Sequence, residues 1–182
     1  NRIGGNAIGF CGLDAGMISA IRLRKADKEY GYVGKIEKID PSPINDALEK
    51  GYIPVVSTVA FGIDEDTSYN VNADTAAAKL AVALGAIKLI LLTDVRGVLR
   101  EPKDESSLIS TIALKEVPQL IEEGIISGGM IPKLDCCVEA LWGGVERAHI
   151  IDGRVMHSTL IEILSDSGIG TMITENKEVG RR

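Results

Sequence analysis

The sequence predicts an α/β fold: a three-layer α/β/α sandwich with a mainly parallel open sheet and one surface hairpin. Two segments of strand length, residues 53–60 (IPVVSTVA) and 88–93 (KLILLT), are almost continuously apolar, which is typical of strands covered on both faces. Between them, residues 75–84 carry alanine and leucine at helical spacing. Strand, helix and strand in this order predict a parallel unit with a right-handed crossover.

The hairpin is predicted near the start of the chain. After a first strand at 7–13, residues 17–24 and 32–39 alternate apolar and polar side chains on either side of a charged turn at 25–31. Such alternation indicates an antiparallel pair with one exposed face. A short helix at 44–50 follows the hairpin.

This helix has start and stop signals in the sequence. Ser42 and Pro43 are suited to the N-cap and the first helical position, and Gly51 is suited to the end. Further along, an acidic loop at 62–68 leads to the helix at 75–84, which Gly85 ends. After the strand at 88–93, we predict a polar loop, two helices, a strand, a helix and a closing strand, in that order, at 100–107, 114–123, 132–142, 148–152, 157–164 and 170–174.

The length of 182 residues suits one domain, which we place at 1–174, followed by a charged tail at 175–182. Residues 1–6 (NRIGGN) resemble the end of a helix with its glycine cap, so we expect a chain cut within a longer protein.

Composition excludes several classes of function. A net charge of −6 provides no general attraction for nucleic acid or an acidic membrane surface. No apolar run approaches the roughly 20 residues of a membrane span, and the amino end does not resemble a signal peptide. Three cysteines, Cys11, Cys136 and Cys137, are too few for a disulfide framework or a zinc site, which predicts a reduced cytoplasmic protein.

The segment NVNAD at 70–74 lies where a loop enters the helix at 75–84. Free backbone N–H groups and the positive end of a helix favour an anionic ligand at such a junction. Asn72 or Asp74 is equally suited to be a simple helix cap, and the five residues alone leave both interpretations open.

The segment GGMIPK at 128–133 opens another helix. Adjacent glycines allow a phosphate to approach the backbone, and Lys133 places a cation in the first helical turn. A cation there opposes the helix dipole, which favours a functional role. Thr93 and Asp94 end a predicted strand, where ligands of open α/β sheets bind. By contrast, GGNA at 4–7 precedes a strand and has no following lysine, so we interpret it as structural.

The two histidines have no partners at metal-ligand spacing. His149 alternates within a predicted strand and is interpreted as a packing residue. His157 opens a helix.

Together, NVNAD, TDVRGV at 93–98 and GGMIPK resemble the amino-acid kinase family, and their form is most similar to the members that phosphorylate N-acetyl-L-glutamate. The resemblance covers residues 4–174, but only the later part of the family's sequence. The resemblance implies that the family's amino-terminal portion, with a phosphate-binding lysine, a glycine loop and the arginine that holds the substrate carboxylate, lies outside this chain. The resemblance implies that 7–60 completes a substrate-side part and that 61–174 binds the nucleotide.

The resemblance also implies residue roles. Lys133 contacts the transferred phosphoryl group, Asp74 organises the catalytic lysines and Asn70 holds the amino-acid substrate. The implied nucleotide-binding residues are Thr93, Asp94, Gly128, Gly129 and Met130. The region around 157–171 resembles an arginine-feedback segment, with His157, Glu162 and Gly170 as effector residues, although helix capping explains the same residues.

The implied activity is ATP-dependent phosphorylation of the side-chain carboxylate of N-acetyl-L-glutamate in arginine biosynthesis. Mg²⁺ is expected to be held mainly by the ATP phosphates. Arginine, a PII-type nitrogen regulator and further copies of the full-length chain are the other implied partners, whereas the fragment by itself is expected to be inactive. Alternatives are another carboxylate or nucleotide kinase of the same fold, or a non-catalytic arginine-sensing or regulator-docking module at 147–171.

Overall fold

The computed structural model describes residues 1–25, 28–165 and 168–176. The chain divides into two compact units, Asn1–Leu84 and Gly85–Arg182. Helices alternate with strands that pair mostly in parallel, which confirms the predicted α/β class. The expected division into substrate-side and nucleotide-binding parts at residue 61 stays a prediction, and most of the predicted tail lies outside the described residues.

The first unit consists of a small parallel sheet, a barrel and two helices. Strands β1 and β4 form the two-stranded sheet, and β2, β3, β6 and β5 close the four-stranded barrel. In chain order the elements are β1 (Ala7–Cys11), β2 (Ile18–Lys25), β3 (Lys28–Ile39), α1 (Ser42–Glu49), β4 (Ile53–Ser57), β5 (Val59–Gly62), β6 (Ser68–Asn70) and α2 (Ala73–Ala83).

The predicted hairpin is present as the antiparallel pair β2–β3. Its strands extend further into the predicted turn than expected, and both also pair with other strands of the barrel. Ile18, Ile36 and the fully buried Tyr69 belong to the core that the barrel encloses. Gly34 allows this packing, because a Cβ there would lie only 2.6 Å from the Cβ of Tyr69.

The expectation of one continuous, doubly covered strand at 53–60 is wrong. The segment forms two strands in different sheets, separated at Thr58, whose carbonyl accepts the N–H of Val71 at 3.0 Å. On β4, Ile53 and Val55 are each 58% exposed, so one face of that strand is uncovered in this chain. An apolar run indicates that side chains are buried, but it does not show where one strand ends and the next begins.

The predicted start of α1 also differs. The helix begins at Ser42 with Pro41 at its N-cap position, and no side chain caps it. The Ser42 hydroxyl instead donates to Oδ1 of Asp40 at 2.6 Å, and its backbone N–H donates to the same oxygen at 3.0 Å. These bonds lower the pKa of Asp40. Ser42, which the sequence predicts as the N-cap residue, therefore bonds to Asp40 and does not cap the helix.

The second unit is built on a four-stranded sheet in the order β7-β9-β10-β8. Strands β7 and β9 are parallel, β10 is antiparallel to β9, and β8 is parallel to β10. The elements are β7 (Lys88–Thr93), β8 (Thr111–Ala113), α3 (Val117–Glu122), α4 (Met130–Trp142), β9 (Arg147–Asp152), α5 (Ser158–Leu164) and β10 (Thr171–Thr174). Strand β8 is too short to have a sequence pattern and was not expected.

The predicted boundaries of β7 are confirmed, but its predicted environment is wrong. Within the described sheet it is an edge strand, with Leu89 and Leu91 buried and Leu92 54% exposed. Its parallel partner is β9 and not the segment at 53–60, so the predicted strand–helix–strand unit does not form within one described sheet. Strand β9, which pairs with β7, follows it only after β8, α3 and α4, so the connection is longer than the single helix that the sequence pattern predicted. No described helix combines the length and the apolar character that crossing a membrane requires.

Candidate active site

A cleft of about 510 Å³ opens at the carboxyl ends of β7 and β9. Thr93 and Asp152 are paired in register at these strand ends, and the next residue of the first strand, Asp94, lines the cleft. This is the edge at which open α/β sheets bind ligands. The remaining charged lining residues are Arg96, Lys103, Glu105, Asp152 and Arg154, and apolar walls come from Val95, Leu99, Pro102, Val155 and Ile169.

Asp152 and Arg154 form a two-pronged ion pair at the cleft. Nε and Nη2 of Arg154 donate to the two carboxylate oxygens of Asp152 at 2.9 and 2.8 Å, and the backbone N–H of Arg154 donates at 2.9 Å. These hydrogen bonds lower the pKa of Asp152 to about 2. The guanidinium is therefore oriented by an ionised carboxylate, while 69% of its side chain stays exposed to a ligand.

The opposite wall is formed by the loop after β7. Thr93 Oγ1 donates to Oδ1 of Asp94 at 3.2 Å, and Arg96 lies 3.4 Å from a carboxylate oxygen of Glu105. The cleft thus combines apolar surface with both signs of charge. The apolar walls can pack against a flat aromatic ring of a ligand, the carboxylates can accept hydrogen bonds from its hydroxyl groups, and the cations can bind phosphate oxygens.

The turn before α4 leaves its backbone accessible. Gly128 has a positive φ of +54°, which favours glycine. Gly129, the N-cap residue, has φ −69°, and a Cβ added there would meet nothing within 4 Å. Neither backbone geometry nor packing therefore requires glycine at 129, and the backbone of this turn is open to its surroundings. Met130 begins the helix and Lys133 is half-buried in its first turn.

The first unit holds the other two predicted site residues. Asn70 ends β6 with its backbone paired to Val59 and Val33 and is exposed. Asn72 is the N-cap of α2, and its Oδ1 accepts the N–H of Thr75 at 3.0 Å. Asp74 lies in the first turn of the same helix, where a carboxylate interacts favourably with the dipole. Asn72 is therefore the cap of α2, and the interpretation of this junction as a ligand site stays a prediction.

The predicted residues thus fall into separate groups. Asn70 and Asp74 belong to the first unit, and the predicted nucleotide-binding residues and Lys133 belong to the second. Within the second unit, Asp94 lines the cleft, whereas the turn at 128–130 and Lys133 are not among its described lining residues.

The three predicted effector residues have different environments. His157 adopts a left-handed conformation, φ +59°, immediately before α5. Glu162 is buried, and its Oε2 accepts the N–H groups of Ile169 at 2.7 Å and Gly170 at 3.2 Å. Its other oxygen lies 2.9 Å from Nδ1 of His149. Glu162 and Gly170 are therefore in direct contact.

His149, interpreted from the sequence as a packing residue, is buried as that interpretation requires, but it also has a polar partner in Glu162. No local pattern links two residues that lie 13 positions apart on a strand and a helix. Asp152 and Arg154 were also missed. The rule that identified Thr93 and Asp94, a polar residue at the carboxyl end of a parallel strand, applies equally to Asp152. In the described ranges, no group of three or more His, Cys, Asp or Glu side chains is arranged to hold a metal ion.

Comparison with known proteins relates this geometry to a family. The sequence model of the amino acid kinase family matches residues 2–152. The chain is 55% identical to an acetylglutamate kinase of Clostridium beijerinckii, over 94% of this chain and 60% of that enzyme. It is 52% identical to an acetylglutamate kinase of Heliobacterium modesticaldum, over 94% of this chain and 61% of that enzyme.

A solved structure has the same arrangement of elements. An N-acetylglutamate synthase from Neisseria gonorrhoeae, complexed with coenzyme A and L-arginine, superposes with a TM-score of 0.79 at 27% identity, covering 94% of this chain and 38% of that one. The fold thus defines an α/β protein with a cleft at the carboxyl ends of its parallel strands. Within that class, the chain belongs to the amino acid kinase family. It spans about 60% of the length of the curated relatives it matches.

Proposed function

We propose that the protein containing this chain phosphorylates the side-chain carboxylate of N-acetyl-L-glutamate with ATP, forming N-acetylglutamyl phosphate in arginine biosynthesis. The observation that carries this proposal is the identity of 50–55% with acetylglutamate kinases over nearly the whole chain. The accessible glycine turn before Lys133 and the mixed cleft at the end of β7 support it, since a phosphoryl-transfer site needs both a phosphate contact and a place for the nucleotide.

In this proposal the chain's own residues position the reactants and neutralise charge. Lys133 offsets the negative charge that develops on the transferred phosphoryl group, and the amides of Gly128, Gly129 and Met130 contact phosphate oxygens. Asp74 orients the catalytic lysines, and Asn70 holds the substrate through an amide that both donates and accepts. Phosphoryl transfer is mostly positioning and electrostatics, so none of these groups has to act as a nucleophile.

The nucleotide is assigned to the cleft of the second unit, which Asp94 lines directly after the end of β7 at Thr93. Mg²⁺ enters with ATP, held mainly by the nucleotide phosphates, and screens their charge. We further propose a cytoplasmic location, a homo-oligomeric full-length protein, feedback inhibition by arginine through the region of His157, Glu162 and Gly170, and docking of a PII-type regulator.

A non-catalytic role is the second candidate. The similar N-acetylglutamate synthase was crystallised with L-arginine, which favours the possibility that this chain provides an arginine-sensing module. In that case the chain would bind arginine without supporting ADP release in any context. Another carboxylate or nucleotide kinase of the same fold is the remaining alternative.

One coupled assay separates these functions. ADP release by the full-length protein is measured with N-acetylglutamate, glutamate or aspartate, each with and without arginine. We expect turnover with N-acetylglutamate but not with glutamate or aspartate. Turnover with glutamate or aspartate would identify a different kinase. No turnover with any of the three substrates would favour the sensing module. The 182-residue chain is measured in parallel, and we expect weak ATP binding by calorimetry with no turnover. Full turnover by this chain would show that all the required cations lie within it.

A further inference from the structure

Thr171, the first residue of β10, is a fully buried threonine whose hydroxyl joins two distant segments. Its Oγ1 accepts the N–H of Val98 at 2.8 Å and donates to the carbonyl of Ile109 at 2.8 Å. The hydroxyl therefore uses its single proton and a lone pair with two different backbone groups. Val98 and Ile109 are also bonded to each other, since the N–H of Ile109 donates to the carbonyl of Val98 at 2.9 Å.

Val98 belongs to the wall of the cleft. Residues 94–99 supply four lining residues, Asp94, Val95, Arg96 and Leu99, whereas Val98 itself points into the protein and is 2% exposed. Gly97 allows this wall to approach Thr171: a Cβ there would lie 2.6 Å from Thr171 Oγ1, and its φ is +150°. The bond from Val98 to Thr171 therefore fixes the inner side of the segment whose outer side faces the ligand.

The turn before Thr171 is itself held in place. Glu162 on α5 accepts the N–H groups of Ile169 and Gly170 with one oxygen and contacts Nδ1 of His149 on β9 with the other. A Cβ at Gly170 would collide with the carbonyl of Ile150, so the turn lies directly against β9. Ile169 lines the cleft. The strand that carries the threonine hydroxyl thus begins directly after a turn that is held by α5 and lies against β9.

We infer that Thr171 is a positioning residue for the nucleotide: its hydroxyl holds the 94–99 wall in the binding conformation. This inference rests on the proposed function, because it assigns the cleft to ATP. Replacing the hydroxyl by a methyl group leaves the N–H of Val98 and the carbonyl of Ile109 buried without this partner. The wall then has to be ordered when the ligand binds, and that entropy is subtracted from the affinity.

Thr171→Val and Thr171→Ser form a matched pair for the test. Valine keeps the shape and removes both hydrogen bonds, whereas serine keeps the hydroxyl. Both are made in the 182-residue chain, and ATP with Mg²⁺ is titrated by calorimetry while the amide exchange of Val98 is followed. We expect Thr171→Val to weaken ATP affinity about tenfold, because the wall that the two hydrogen bonds held must then be ordered on binding, and to accelerate Val98 exchange. Thr171→Ser should stay within about twofold of the unsubstituted chain in both measurements.

Failure of this role for Thr171 can be distinguished from failure of the proposed function on which it rests. No ATP binding by the unsubstituted chain would overturn the assignment of the cleft, and with it this role for Thr171. Equal ATP affinity of the unsubstituted chain and a folded Thr171→Val would overturn the role of Thr171 alone. If the valine variant does not fold, Thr171→Ala, whose smaller side chain leaves space for a water molecule, is compared with Thr171→Ser in the same two measurements and decided by the same criteria.

Discussion

Arg22 on β2 and Glu65 in the loop after β5 form a two-pronged ion pair, with Nε to Oε1 at 3.0 Å and Nη2 to Oε2 at 2.6 Å. The neighbouring Asp64 accepts the backbone N–H of Arg22 and the hydroxyl of Tyr69, both at 3.0 Å. The guanidinium also lies over the ring of Tyr32, at 5.3 Å from its centre. The acidic loop is therefore bonded to the barrel by its carboxylates.

This pairing predicts a loss of stability in acid. Hydrogen bonds from Arg22 lower the pKa of Glu65 and of Asp64. Because each folded-state pKa lies below the unfolded value, the stabilisation is present at neutral pH and is lost as the pH falls through the folded-state pKa. We expect the Tm to decrease once the pH is lower than about 4. Glu65→Gln should lower the Tm at pH 7 and differ less from the unsubstituted chain at pH 3.

The exposed pair of Lys35 and Glu37 on β3 is the control. Its carboxylate is about as exposed as that of Glu65, but it has a single contact of 2.8 Å to a lysine that is 63% exposed, whereas Arg22 is 29% exposed and makes two contacts. Glu37→Gln should therefore change the Tm little at either pH. Equal effects of Glu37→Gln and Glu65→Gln would contradict a special role for the pair at Arg22.

Asn72 should stabilise α2 as its cap. Asn72→Ala removes the acceptor of the Thr75 N–H and should lower the free energy of unfolding by about 1 kcal/mol. Asn72→Asp keeps an acceptor oxygen and should be close to neutral. Urea unfolding of the two variants measures both values, and equal destabilisation would show that the hydrogen bond contributes nothing.

Lys133 should act mainly on turnover. If it neutralises charge that develops during transfer, Lys133→Ala in the full-length protein lowers kcat by two or more orders of magnitude and changes the KM for ATP less, on the scale of known single-group effects. Lys115→Ala, at an exposed position before α3, is the control for a lost lysine. A defect confined to ATP affinity would make Lys133 a binding residue only.

Asn70 should determine substrate affinity. Asn70→Asp places a second negative charge beside the substrate carboxylate, so the KM for N-acetylglutamate should rise far more than the KM for ATP. Asn45→Asp on the exposed side of α1 adds the same charge elsewhere in the same unit and should change neither KM. Equal effects of Asn70→Asp on both substrates would remove Asn70 from the substrate site.

Much of the secondary structure is visible in the sequence, because periodicity and end signals are local. The strand at 88–93 has the predicted bounds, and the helix at 75–84 is displaced by at most two residues. The errors occur where one pattern permits two structures. The run at 53–60 is almost continuously apolar, yet a break at Thr58 divides it between a two-stranded sheet and a barrel. Composition does not specify which neighbour a strand pairs with.

The sequence by itself determined the fold class, the family and the motif residues, because each depends on residue types at short spacings. Only the tertiary structure decided that β2, β3, β5 and β6 close a barrel, that Arg154 is held by Asp152 at the cleft, and that Thr171 bonds to Val98, 73 positions earlier. Hydrogen bonds of this kind depend on where the packed backbone brings each polar group. Their partners must be found in space, because a buried N–H or carboxylate is satisfied by whichever group the fold places beside it.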